Sequence, residues 1–235
     1  MSTGAIIFSL VVGILPPLLW LWFWLKEDRL HPEPRRLIVL TFLAGMVVVA
    51  FALVLEQITH FIFNKLGLLS ACSGFLILFF WALAEEFSKY IAAKKVAFSQ
   101  KDFDEPVDAL VYLITAALGF SALENVVFLI DIVTGYGFSA GFMTGNLRFV
   151  GATLIHILSS ATVGASIAFC FFKKGNYRRN VIWGLFFATL LHASFNFFIT
   201  KSDGSNVVQI LVPFWFLVII LLFIFEKVKK IKCKK

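Results

Sequence analysis

Runs of about twenty apolar residues recur from one end of this 235-residue chain to the other, with only short polar stretches between them. A bilayer's hydrocarbon core, ~30 Å thick, is crossed by ~20 residues of α-helix, so each run is long enough to span it. The pattern predicts spans at 5–25, 37–63, 74–93, 107–131, 147–172, 181–200 and 207–225. The fold class is all-α: a polytopic membrane bundle of about seven transmembrane helices, one domain over 1–235 that ends in a basic tail, 226–235. A composition that is 60% hydrophobic and 15% charged, with 29 Phe, excludes an ordinary soluble domain. The first run has no basic leader before Ala5 and no small-residue cleavage site after it, so it reads as a retained span.

The charges sort by loop. Lys26, Arg29, Arg35 and Arg36 follow the first span, and Lys94, Lys95 and Lys101 the third. Lys173, Lys174, Arg178 and Arg179 follow the fifth, and Lys227, Lys229, Lys230, Lys232, Lys234 and Lys235 the seventh. The intervening loops hold only Lys65, Arg148 and Lys201. The positive-inside rule then puts the N-terminus outside and the C-terminus in the cytoplasm, in a bacterial-type cytoplasmic membrane crossed several times. A net charge of +7 seated at loop and tail positions is better matched by anionic lipid at the basic tail than by nucleic acid, which is not expected as a partner. Cys72, Cys170 and Cys233 have no CxxC spacing, so neither a disulfide framework nor a thiolate metal site is expected. Thr134–Gly145, where glycines alternate with aromatics, reads as an outer loop and a candidate gate; Lys26–Arg36, stiffened by Pro32 and Pro34, reads as a solvated cytoplasmic loop.

Against this background the ionisable residues inside the spans stand out. Glu85, Glu86 and Lys89 share the third span, Glu124 lies in the fourth, His156 in the fifth and His192 in the sixth. A charge near the bilayer centre costs roughly 2.5–3.5 kcal/mol on insertion scales, so such residues mark functional sites by default. At 1.5 Å per residue the four helices carry these groups to depths of roughly 10–17 Å from their outer ends, one layer within the uncertainty of the boundaries. Lys89 is i,i+4 from Glu85 and i,i+3 from Glu86, within reach of both. Adjacent residues diverge by ~100° around a helix, so one glutamate is expected to face the reaction centre while the other binds Lys89. His192 and Asn196 lie one turn apart on one face, and Ser159 and Ser160 follow His156 as small polar neighbours. Glu56 and His60, close to the outer interface, read as packing partners.

Glu85-Glu86-x-x-Lys89, Phe120-x-x-x-Glu124-Asn125, the lone His156 and His192-x-x-x-Asn196, each on its own apolar segment, resemble the PrsW family of intramembrane proteases. The resemblance runs from the first cytoplasmic loop, where Asp28–Pro34 is similar to that family's start, to the sixth span. The wider superfamily, which includes prenyl-protein-processing membrane proteases, typically carries Glu-Glu-x-x-x-Arg and Phe-x-x-x-His. The earlier Lys89 and the glutamate at position 124 fit the PrsW branch. The resemblance implies an intramembrane endopeptidase that cuts a single-span membrane protein, such as an anti-sigma factor, on its extracytoplasmic side as the first step of regulated proteolysis.

Peptide hydrolysis needs an activated water, a polarised carbonyl and a proton for the leaving amine. Two arrangements of the catalytic set Glu85, Glu86, Lys89, Glu124, His156, His192 and Asn196 supply them. In one, Glu124, His156 and His192 hold Zn²⁺ and Glu85 or Glu86 is the general base. In the other, no metal is used: Glu85 or Glu86 with a histidine activates water, and Asn196 helps to hold the oxyanion. Outside the proteases, an ion- or proton-coupled transporter is the alternative, because buried Glu, Lys and His also build proton relays.

Overall fold

The helix that begins at Asp108 is buried at every residue as far as Ala122. A helix apolar on all sides has to be covered by its neighbours, and the rest of the chain is arranged around this one. The computed structural model describes residues 2–26, 32–68, 74–173, 176–202 and 206–231. These form seven α-helices: α1 (Thr3–Leu25), α2 (Arg35–Lys65), α3 (Phe75–Val96), α4 (Asp108–Leu147), α5 (Thr153–Ala168), α6 (Tyr177–Lys201) and α7 (Val207–Val228). A π-helical turn, Arg148–Ala152, joins α4 to α5. Helices α1, α2, α3 and α5 pack on α4, α6 closes the bundle between α3 and α5, and α7 lies against α5 and α6. No strand occurs among the described residues, as an all-α chain requires.

Small residues let the backbones approach. A Cβ added to Gly45 of α2 would run into the carbonyl of Ala116 on α4, and one added to Gly119 of α4 into the carbonyl of Phe42 on α2. Two reciprocal glycines thus set a backbone-to-backbone contact, the usual way for helices to associate where no hydrophobic drive separates lipid from protein. Outward from this centre the large apolar side chains face away from the bundle, Val47, Phe51 and Phe61 on α2 and Val208, Phe216 and Phe223 on α7 among them. That is the surface a bilayer would cover.

Among the described residues, five helical stretches are long and apolar enough to cross a membrane: Thr3–Leu25, Arg35–Lys65, Asp108–Ala168, Tyr177–Lys201 and Val207–Val228. Helix α3 has the length, but Glu85, Glu86, Lys89, Lys94 and Lys95 make it too polar to qualify by composition. The helix bounds otherwise lie near the expected spans, with corrections at the fourth and fifth spans and at the tail. Thr134–Gly145 is not a loop: α4 continues to Leu147 and is interrupted only at Gly137, whose φ of 85° and ψ of 175° belong to a region open essentially to glycine alone. The chain reverses there. Gly141 packs on Val133, Gly145 lies beside Leu129 and Val12, and Phe138 meets Phe8 of α1 edge to face at 5.3 Å. Gly137, Gly141 and Gly145 are four residues apart, a helical spacing. Only the first breaks the helix, and the other two are contact points along its face. At the far end α5 stops at Ala168, four residues short of the expected 172. The first three residues of the expected tail, Glu226–Val228, are the last of α7. Lys232–Lys235, Cys72, Cys233 and residues 27–31 of the first cytoplasmic loop lie outside the described residues.

Candidate active site

Helix α3 contains neither glycine nor proline and is built largely of Leu, Phe, Ala, Glu and Lys, all compatible with continuous helix. Its buried face repeats at helical spacing: Ala82, Glu85, Glu86, Lys89 and Ala93. The alanines leave room for α5 and α6 to close over the charged residues between them. Lys89 is fully buried, Glu86 is 1% and Glu85 7% exposed.

The Lys89 ammonium is the hub. It donates to Glu86 Oε1 at 2.7 Å, to Glu85 Oε2 at 3.4 Å and to His156 Nδ1 at 2.7 Å, and sits 4.5 Å over the ring of Phe120. An ammonium has only donors, so His156 Nδ1 accepts and the imidazole proton resides on Nε2. That nitrogen points at Glu124 Oε2, 3.0 Å away.

The two adjacent glutamates are in different states of satisfaction. Glu86 Oε1 meets Lys89, His192 Nδ1 at 2.8 Å and the Ser159 hydroxyl at 2.9 Å, while Oε2 accepts from Ser160 at 3.0 Å. Glu85 Oε2 has only Lys89 at hydrogen-bonding range, with His156 Nδ1 at 3.7 Å and His192 Nε2 at 3.9 Å beyond it. The expectation set one glutamate on Lys89 and the other toward the reaction centre; both carboxylates touch Lys89, with Glu86 fully engaged and Glu85 keeping spare capacity. Because Glu86 takes the Nδ1 proton of His192, the Nε2 lone pair of that ring is left facing Glu85, the orientation by which a carboxylate prepares an imidazole for ligation or proton transfer.

Of the residues singled out in the sequence, Glu85, Glu86, Lys89, His156 and His192 come together, and Ser159 and Ser160 line them as expected. Glu124 is brought to the edge of this group, against His156 on one side and Arg148 on the other, with Arg148 Nη2 at 2.5 Å from its Oε2. Asn196 is half-buried one turn beyond His192, and none of the described residues hydrogen-bonds its side chain. Arg148 and Asn125 are the additions that sequence reasoning did not assign: the guanidinium also reaches Asn125 Oδ1 at 2.5 Å, and the Asn125 amide is held by Thr153 and Ser121. The available signal was that Arg148 is the lone basic residue between Lys101 and Lys173. Glu56 of α2 is half-buried.

The ligand atoms of Glu85, Glu86, His156 and His192 all lie within 4.8 Å of one another, the spacing of a group that could hold a metal ion. Imidazole nitrogen and carboxylate oxygen are donors zinc takes, so the residues fit such an ion. The same donors surround the Lys89 ammonium, so lysine and metal would share them. The four-residue group differs from the expected set of Glu124, His156 and His192 in drawing its carboxylates from α3.

The model of the PrsW family intramembrane metalloproteases matches residues 33–224. The chain belongs to the PrsW family. It is an intramembrane protease and a multi-pass membrane protein. Among its relatives, Protease PrsW of Oceanobacillus iheyensis is 28% identical over 206 residues, 87% of this chain and 88% of the relative. Protease PrsW of Geobacillus kaustophilus is 26% identical over 83% of this chain and 82% of its own length, and that of Bacillus subtilis 26% identical over 86% of each. No solved structure matches the chain. The matched span takes in the PrsW-like motifs from Glu85 to Asn196, and with them the buried carboxylate and imidazole cluster.

Proposed function

We propose that this PrsW-family protease hydrolyses a peptide bond of a single-span membrane protein, an anti-sigma factor being the expected kind, near the extracytoplasmic side of a bacterial cytoplasmic membrane. The whole chain acts as one membrane-embedded unit of seven crossings, α3 among them and the Asp108–Ala168 stretch contributing two. The N-terminus lies outside and the basic tail rests on anionic lipid. One observation carries the reading: two carboxylates, two imidazoles and an ammonium from three helices converge in a buried layer, with four ligand atoms within 4.8 Å. Support for the side comes from the charge alternation, and from Lys26, Lys94, Lys65 and Lys201, which lie over the rings of Trp22, Tyr90, Phe61 and Phe197 at helix ends, as residues at a membrane interface do. In that orientation Glu85 sits near the middle of α3 and His192 toward the outer end of α6, while Glu124 lies about midway between Asp108 and the α4 reversal at Gly137.

The roles follow from how fully each group is engaged. Glu85 is the general base: its carboxylate takes a proton from the attacking water and passes it to the amide nitrogen as the C–N bond breaks. Glu86 fixes His192 through Nδ1 and leaves Nε2 free to face the reacting atoms. Lys89 balances the carboxylates and donates to His156. Glu124 orients His156, and Asn196 offers an amide N–H toward the oxyanion. Glu86, His156 and His192 are the residues that would hold Zn²⁺, with Lys89 ceding the His156 Nδ1 lone pair and Glu85 remaining the base, and the ion would supply Lewis acidity toward the scissile carbonyl. Three carboxylates in this layer, Glu85, Glu86 and Glu124, face two cations, Lys89 and Arg148. The uncompensated negative charge favours such an ion or a proton.

Co-expression with candidate single-span proteins tests the reading. Wild type is expected to generate a membrane-retained fragment cut on the outer side, and Glu85→Gln, inserted to the same level, none. Equal fragment from Glu85→Gln would remove Glu85 from the mechanism.

A further inference from the structure

A regular α-helix turns ~100° per residue, which would leave residues eight apart about 80° out of line. Arg148 and His156 are eight apart, yet both reach the same atom, Glu124 Oε2, at 2.5 and 3.0 Å. The π-helical turn Arg148–Ala152 accounts for it: bonds that reach one residue further widen the turn and take up rotation, bringing arginine and histidine toward one face. The guanidinium is then locked by three further features. Its Nε donates to Asn125 Oδ1 at 2.5 Å, its plane lies 4.6 Å over the Phe128 ring, and only 15% of the side chain is exposed. Asn125 in turn donates to Thr153 Oγ1 at 3.2 Å and Ser121 Oγ at 3.4 Å, and Ser121 donates to Thr153 at 3.1 Å. A planar fork answering two acceptors at once is a task for arginine that lysine performs only in part.

We propose that Arg148, carried on this π turn, is a positioning residue that holds Glu124 against His156 Nε2, so that His156 keeps its proton on Nε2 and presents the Nδ1 lone pair to Lys89. This rests on the catalytic role proposed above for the buried cluster. Arg148 touches none of the reacting atoms; it acts through Glu124, which ties the base of the α4 hairpin to the ring at the centre of the site. Without Arg148, Glu124 is free to turn away, and His156 loses one of the two partners, Lys89 at Nδ1 and Glu124 at Nε2, that together select its tautomer.

The test has two readouts, one independent of proteolysis. The protein has four histidines, so the full chain labelled with ¹⁵N-histidine gives a spectrum in which His156 is assigned by its loss in His156→Gln. In wild type His156 is expected as the Nε2–H tautomer, and in Arg148→Gln as a mixture of tautomers. Cleavage of a single-span substrate is expected to fall about 10- to 100-fold in kcat, the usual cost of removing a partner that orients a site residue, with KM within about twofold. Arg148→Lys is expected to restore most of both. In a Glu124→Gln background, Arg148→Gln is expected to cost nothing further. An unchanged His156 tautomer in Arg148→Gln, or an equal loss of kcat with and without Glu124, overturns the proposal. Should Arg148→Gln not fold, Glu124→Gln carries the tautomer readout, and an unchanged Nε2–H signal there overturns it as well. Failure of wild type to cleave would count against the proteolytic role of the cluster while leaving the tautomer result to decide on Arg148.

Discussion

Lys89 donates to two carboxylates and an imidazole from a position with no solvent contact. Removing one member of a buried ion pair leaves the other charge uncompensated, at about 3–5 kcal/mol. Lys89→Met is therefore expected to lower the stability of the detergent-solubilised protein by that order, and Lys89→Met combined with Glu86→Gln to recover part of it. Thermal unfolding followed by circular dichroism measures both, and a Lys89→Met protein as stable as wild type would show that the ammonium is not the hub. At this scale the sequence was informative wherever a charge interrupted an apolar run: Glu85, Glu86, Lys89, Glu124, His156 and His192 stood out because lipid penalises them. Arg148 did not, because an arginine at the very start of the expected span 147–172 reads as a charge at the membrane interface, and its partners Glu124 and Asn125 lie 24 and 23 residues away. Nor could spacing decide between Glu85 and Glu86. What separates them is the hydroxyl pair of Ser159 and Ser160 and the ring of His192, contributed by other helices.

Among the elements, helix existence was legible from the length of the apolar runs, and helix ends largely so. The exception, Thr134–Gly145, misled because glycine serves two purposes there: Gly137 turns the chain, while Gly141 and Gly145 admit neighbouring side chains. Substitutions separate these uses. Gly137→Ala forces a side chain into backbone angles that disfavour it and is expected to destabilise by about 1–3 kcal/mol. Gly119→Ala drives a methyl into the Phe42 carbonyl and is expected to cost about 1–3 kcal/mol by overpacking. Gly135→Ala meets nothing within 4 Å and is expected to be neutral or slightly stabilising. Thermal unfolding in detergent ranks the three; Gly135→Ala as damaging as Gly119→Ala would contradict the close approach of α2 and α4.

The molecule as a whole is a bundle about one buried helix, with its reactive groups in a layer that four helices share. The orientation proposed from loop charge yields a labelling prediction. With the native cysteines replaced by serine, Tyr136→Cys at the α4 reversal, where the wild-type residue is 78% exposed, is expected to react with a membrane-impermeant maleimide in intact cells. Gln100→Cys, beyond the other end of α3, is expected to react only after permeabilisation. The reverse pattern would invert the topology and place the cut on the cytoplasmic side. The fold class and the membership of the site could be read before the structure because both depend on where polar groups are intolerable. The carboxylate partners of the imidazoles could not, because they depend on how helices distant in sequence meet.

The most direct measurement is cleavage of a single-span membrane protein by the purified chain in proteoliposomes, with fragment ends identified by mass spectrometry and bound metal quantified in the same preparation. Wild type is expected to cut within or beside the outer half of the span, Glu85→Gln and His192→Ala to fall at least about 100-fold while still folded, and chelation to abolish activity that Zn²⁺ restores. Undiminished cleavage by both variants would contradict the buried cluster as the catalytic centre, and full activity in chelator without stoichiometric metal would contradict the zinc reading of it.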